Sequence, residues 1–134
     1  MFAHRRGHTD GGSSTLELVI GFPVVLTLVL VIVNTALWWH ARDTAMAAAQ
    51  EGVRTGRAYG AHVGDGRATA LSFARAVGDG VLISPAVSTS GSNAQTVVVR
   101  VSGRSVSLVP FLHFTVVQVA RGPVERFTTP GNAS

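Results

Sequence analysis

The sequence contains no cysteine and no lysine. Without cysteine there is no disulfide framework, no thiol nucleophile and no Cys-ligated zinc. The missing thiols assign no compartment by themselves. All 11 basic residues are arginine, set against 7 acids. An Arg-only, Ala- and Gly-rich chain fits a GC-rich coding bias as well as any ligand. The arginines are scattered, with no run longer than Arg5-Arg6. A nucleic-acid reader clusters its cations beside exposed aromatics, so nucleic acid is not expected as a partner. Charge is scarce altogether, at 13% of residues against 46% apolar. Soluble domains carry about 25% charged residues, so the balance leans toward a membrane.

Catalytic patterns are missing too. There is no Gly-x-Ser-x-Gly elbow, no Gly-Lys-Ser phosphate loop and no Gly-x-Gly-x-x-Gly. His4 and His8 sit in a short basic leader, His40 follows Trp39, His62 lies in a Gly-rich stretch, and His113 adjoins Phe114. His4 and His8 are four apart but have no helix or carboxylate to complete a site, and the other three are isolated, so no metal site is expected. Asp43, Glu51, Asp65 and Asp79 are separated by turns or point different ways, so they form no acid/base pair. The expectation is no enzyme, no catalytic residue, no metal, no cofactor and no small-molecule substrate.

What the chain does have is one long uncharged run. Leu18 to Trp39 reads LVIGFPVVLTLVLVIVNTALWW, 22 residues without a charge. As a helix it is about 33 Å long, enough to cross a hydrocarbon core of about 30 Å. A removed secretory signal has an apolar stretch of only about 7–15 residues, which favours a retained anchor in contact with membrane lipid. Trp38 and Trp39 mark one interface, because indole rings favour the headgroup level. Flanking charge leaves the orientation open: Arg5 and Arg6 stand at one end, Arg42 and Arg54 at the other. A total of 134 residues allows one domain beyond such an anchor.

Glu17 stands immediately before the run. One reading makes it an interfacial carboxylate favoured by a helix N-terminus. The preceding residues offer another. Gly11-Gly12-Ser13-Ser14-Thr15-Leu16-Glu17 is a basic leader ending in glycine, then small polar residues, then an acid five positions on. This resembles the leader of type IV pilin-like proteins. In that family a prepilin peptidase cuts after the glycine on the cytoplasmic face. The resemblance implies cleavage between Gly12 and Ser13, and pairing of Glu17 with the new terminal amine of a neighbouring subunit.

The match narrows further. Gly12, Glu17, and Pro23 six residues later resemble the opening of TadE-like proteins, minor pilins or pseudopilins of tight-adherence (Flp-type) pilus systems. Ala49-Gln50-Glu51-Gly52-Val53-Arg54 resembles the Ala-x-Glu-Gly-x-Arg segment of that family, while Val109-Pro110, Ala120 and Glu125 fit its later part loosely. The resemblance is good over residues 11–57 and weak over 58–134. It implies a structural or assembly subunit of a pilus in the cytoplasmic membrane, single-pass, N-terminus inside and C-terminal domain outside. Implied partners are other pilin-like subunits, the assembly machinery and the prepilin peptidase, with assembly carried by Glu17 and Pro23. The alternative is an uncleaved, membrane-anchored interaction module of the cell envelope.

The fold class expected is α+β: a transmembrane helix extending into a stem, then a small antiparallel sheet with one covering helix. The divisions are a leader over 1–12, the membrane helix over 13–39, an Ala/Gly-rich stem and turn over 40–64, a small α+β domain over 65–127, and a disordered tail over 128–134. Ala41, Ala45, Ala48, Gly52, Gly56, Gly60 and Gly64 recur every three or four residues. Two readings stand: a small-residue stripe for helix packing against neighbouring subunits, or a helix loosened by its glycines. The pattern places the helix end near Tyr59, a turn through Gly64-Asp65-Gly66, and a second helix over Arg67–Val77 closed by Gly78. Val81–Ile83 reads as a short strand, 84–95 as a loop, Thr96–Ser102 as a strand, Ser102-Gly103-Arg104 as a tight turn, Ser105–Val109 as a further strand broken by Pro110, and Phe114–Ala120 as the last. Both Gly-Asp-Gly copies read as turns.

Overall fold

A computed structural model describes residues 11–126; residues 1–10 of the expected leader and the expected tail over 128–134 lie outside the described residues. The chain is α+β. Helix α1 spans Gly11–Gly56, helix α2 Val63–Val77, and strands β1, β2 and β3 span Leu82–Ser88, Thr96–Ser105 and Phe114–Pro123. The chain divides within α1 into two compact units, between Val33 and Asn34.

In the first unit α1 carries apolar side chains on all sides. Leu18, Ile20, Phe22, Val25, Leu28 and Ile32 are exposed at successive angles around it. By length and composition the helix can cross a membrane. β-Branched residues such as Val24, Val25 and Val31 are indifferent helix formers in water. In lipid every backbone N–H must find its acceptor within the segment, which enforces the helix.

In the second unit the same helix buries a single face. Asn34, Ala41, Thr44, Ala45, Ala48, Ala49, Gly52, Val53 and Gly56 are buried at three- and four-residue spacing, as one stripe of a helix requires. α1 then stops at Gly56, one turn before the expected end at Tyr59.

Helix α2 begins at Val63, four residues earlier than its pattern suggests, so Gly64-Asp65-Gly66 is its first turn and not a loop. The Asp65 carboxylate accepts the His62 backbone N–H at 2.8 Å, closing the helix N-terminus where a carboxylate is also favoured by the dipole. Gly66, Ala70 and Ala74 form the buried stripe of α2. It lies directly on α1: a Cβ at Gly52 would stand 2.8 Å from the Cβ of Ala70 and 2.8 Å from the Gly66 carbonyl. A Cβ at Gly66 would strike the carbonyl of Gly52. The second Gly-Asp-Gly is a turn. Gly78 has φ −87° rather than a left-handed cap, and its lack of a side chain makes room for Leu82 and Thr44. Gly80 takes the positive φ, +75°.

The sheet is antiparallel in the order β1-β2-β3. Val97, Val99 and Val101 point into the core with Leu82, Val87 and Val116, facing the alanines of α1 and α2. The opposite face of the sheet carries Arg100, Arg104 and Arg121, all exposed. At its start Val98 lacks a β1 partner, and the Ser92 hydroxyl stands in, accepting the Val98 N–H at 2.9 Å and donating to its carbonyl at 3.1 Å.

Several strand boundaries differ from the sequence reading, among them the end of β3, which runs to Pro123 rather than Ala120. Gly103 is not in a turn: β2 runs on to Ser105, and a Cβ at Gly103 would meet Leu82 Cδ1 at 2.7 Å. Here glycine permits a close crossing inside a strand. Ser105–Val109 is consequently no separate strand; residues 106–113 connect β2 to β3. β1 continues to Ser88 through Pro85, with the register broken between Ile83 and Ala86 and φ +51° at Ser84. Proline is tolerated there because β1 is an edge strand interrupted by an irregularity.

Gly66→Leu drives a side chain into the Gly52 carbonyl and is expected to cost about 1–3 kcal/mol. Gly64, with open space around it, should gain up to about 1 kcal/mol on substitution by alanine. Thermal unfolding of the full chain in detergent, followed by circular dichroism, should move in opposite directions for the two variants.

Candidate functional site

The residues singled out from the sequence lie along α1. Gly12 and Ser13 are exposed in the first described turn, and among the described residues nothing beyond the helix's own neighbouring backbone lies within 4 Å of where a Gly12 Cβ would stand. Glu17 is exposed in the second turn. The attraction of a helix N-terminus is spent within its first turn, so the carboxylate stands beyond that effect in the described helix. Among the described residues it has no ion-pair partner. It shares a shallow groove with Ser14, Leu18, Gly21, Phe22 and Val25. Gly21, one turn on, leaves a notch beside the carboxylate, open on the outer side.

Pro23 lies within the helix. Its ring nitrogen has no hydrogen to give to the carbonyl one turn back. Thr27 Oγ1 donates to the Pro23 carbonyl at 2.7 Å, which hides a hydroxyl that would otherwise stand unpaired in an apolar stretch.

Further along α1, the segment Ala49–Arg54 divides its residues between two faces. Ala49, Gly52 and Val53 are buried. Gly52 faces Ala70, Gly66 and Val99 of the same chain, and Gly56 faces Val97 and Gly66. Val53 lies under Gly122, where a Cβ would meet its Cγ1 at 2.7 Å. On the outer face Arg54 pairs with Glu51, its Nε donating to Oε2 at 3.0 Å. The hydrogen bond from Arg54, aided by its charge, holds the Glu51 carboxyl below its ordinary pKa, and the same pair raises that of Arg54. Where α1 ends, Arg57 reaches Glu125 at 3.9 Å, and its carbonyl accepts the Glu125 N–H at 2.9 Å.

Sequence reasoning passes over two residues that matter. Asn34 is buried, and its side-chain oxygen accepts from the Ser107 hydroxyl and the Leu108 N–H. Its signal is a lone amide in an otherwise apolar run. Gly66 reads as part of a loop in the sequence and lies at the helix contact in the fold. His40, His62 and His113 are all exposed, and among the described residues no three metal-ligating side chains converge.

Residues 12–54 match the family model described as TadE-like protein. This segment is similar to TadE-like proteins. The match opens on Gly12, contains Glu17 and Pro23, and closes on Arg54, so it takes in the apolar part of α1 and most of its packed face. It stops before α2 and the sheet. No curated protein and no solved structure matches the chain.

The Glu51–Arg54 pair of the TadE-like segment is exposed, so its contribution is small and screened by salt. Its sign follows from the lowered carboxyl pKa. The contribution is present at neutral pH and lost as the pH falls through that pKa. Melting curves of the parent and Glu51→Gln should differ at neutral pH and low salt, then converge on acidification.

Proposed function

We propose that this chain is a TadE-like minor pilin or pseudopilin, a structural or assembly subunit of a tight-adherence, Flp-type pilus. The observation that carries the reading is the TadE-like match, which begins at Gly12 and includes the acid five residues later. A prepilin peptidase cuts after Gly12 on the cytoplasmic side and leaves Ser13 as the first residue. Residues 13–39 then hold the protein in the cytoplasmic membrane as a single pass, with the C-terminal unit outside.

The chemistry of the new terminus supports this role. Cleavage releases an α-amine with a pKa of about 7.7–8, largely protonated at neutral pH. In lipid that amine and the Glu17 carboxylate both need partners. Glu17 of one subunit pairs with the amine of its neighbour, a bond that sets the axial stagger between packed helices. Gly21 beside Glu17 leaves room for the approach. The partners are other pilin-like subunits and the assembly machinery, and the protein acts by assembly, without catalysis.

The mass of the protein extracted from membranes tests the processing step. A chain starting at Ser13 is expected, and Gly12→Leu should retain the leader. A full leader in cells with active peptidase instead supports the uncleaved, anchored interaction module. Glu17→Val should insert normally, yet recover about tenfold less of the other pilin-like subunits on co-purification, the effect of losing about 1.4 kcal/mol. Unchanged recovery removes Glu17 from assembly.

A further inference from the structure

The β2–β3 connection, residues 106–113, is fastened to α1 through one side chain. Asn34 Oδ1 accepts the Leu108 N–H at 3.0 Å and the Ser107 hydroxyl at 3.1 Å. Ser107 Oγ in turn accepts the Val109 N–H at 3.2 Å, and the Leu112 N–H reaches the Val109 carbonyl at 3.3 Å. Much of the polar backbone of the loop is therefore satisfied from within.

Its largest apolar side chains, Leu108, Phe111 and Leu112, are exposed. In the turn Val109-Pro110-Phe111-Leu112, Phe111 has φ +69°. Proline followed by a residue of positive φ is the shape of a type II turn, whose third position ordinarily takes glycine or asparagine. A bulky residue there is strained. Phe111 is 98% exposed, beside the exposed Leu108, Leu112 and Phe114. Between Val106 and Phe114 there is no Asp, Glu or Arg. A loop of this kind facing water exposes apolar surface at a cost and gains nothing in return.

Its position along α1 identifies what covers it. Asn34 lies inside the uncharged run, four and five residues before Trp38 and Trp39, about 6–8 Å at helical rise. On the other side of the indoles the Arg42 guanidinium lies 5.8 Å from one ring centre and 5.7 Å from the other. The order along the helix is thus a cation, a pair of indoles, then the residue that holds the loop. Indoles favour the headgroup level and the arginine its aqueous side. The loop is tied to α1 on the lipid side of that belt.

We propose that the β2–β3 loop is a second membrane contact, with Leu108, Phe111 and Leu112 inserted at the boundary between headgroups and acyl chains. The proposal rests on α1 crossing the membrane. Non-helical backbone is not tolerated in the hydrocarbon core facing lipid, so the insertion is shallow, within the ~5–10 Å typical of interfacial elements. Asn34 serves as the tether that fixes its depth.

The absence of cysteine permits a direct test. Single variants Phe111→Cys, Leu28→Cys and Arg100→Cys of the full chain each carry a nitroxide, at one copy per phosphatidylcholine–phosphatidylglycerol nanodisc. At position 111, as at 28, collision with oxygen should exceed collision with a water-soluble nickel chelate; at position 100 the chelate should dominate. Chelate access at 111 with oxygen preference at 28 overturns the loop contact and leaves the membrane helix standing. Chelate access at both positions overturns both. Shielding of 111 from oxygen and chelate alike means that protein covers the loop, and overturns the assignment to lipid.

Discussion

The unit that begins at Asn34 depends on a place where two helices touch backbone to backbone. Gly66 of α2 lies against the carbonyl of Gly52 and the Cα of Gly56, with no room for a side chain between them. Everything packed around that contact takes its position from it. Val99 and Val97 seat on Gly52 and Gly56, which places β2, and Gly122 of β3 closes over Val53. Among the described residues the largest side chains wholly buried are valines and one serine. Each offers less apolar surface than a leucine or phenylalanine, so closeness of approach matters more than the size of any one group. Glycine and alanine at the helix contact make that closeness available.

One continuous helix meets two environments. From Leu18 to Val33 its side chains are apolar on nearly every side, as suits lipid, where nothing distinguishes one face from another. After Asn34 only one face is apolar and small, and it is covered by the sheet and α2. The chemistry changes at a residue that belongs to both descriptions: an amide embedded in an apolar run, whose oxygen is occupied by Ser107 and Leu108. Trp38, Trp39 and Arg42 follow within two turns. In the proposed pilus subunit the first part serves assembly, through Glu17 and a processed N-terminus, and the second is a separately packed head.

The TadE-like match covers nearly all of α1 and ends before α2 and the sheet. A physical reason lies in what each part must satisfy. The helix has a glycine at its start, an acid at fixed distance, a proline and a small-residue face, each bound to a position along one element. The sheet only has to alternate valine-like and polar residues around a few glycines, and many sequences do that.

Features set by local order are legible along the chain. The uncharged run, the spacing of Gly12, Glu17 and Pro23, most of the second helix, and the cores of β2 and β3 all follow from residue type and period over a few turns. The places where glycine or proline punctuates an element are not legible in the same way. Gly103 looks like a turn and lies inside a strand because Leu82 crosses over it. Gly64-Asp65-Gly66 looks like a loop and opens a helix because Asp65 caps it and Gly66 fits against α1. Pro85 looks like a strand end, yet β2 supplies pairing on both sides of it. A missing side chain permits a turn and a close contact alike. Which of the two occurs depends on what lies opposite in space, and only the tertiary structure decides that.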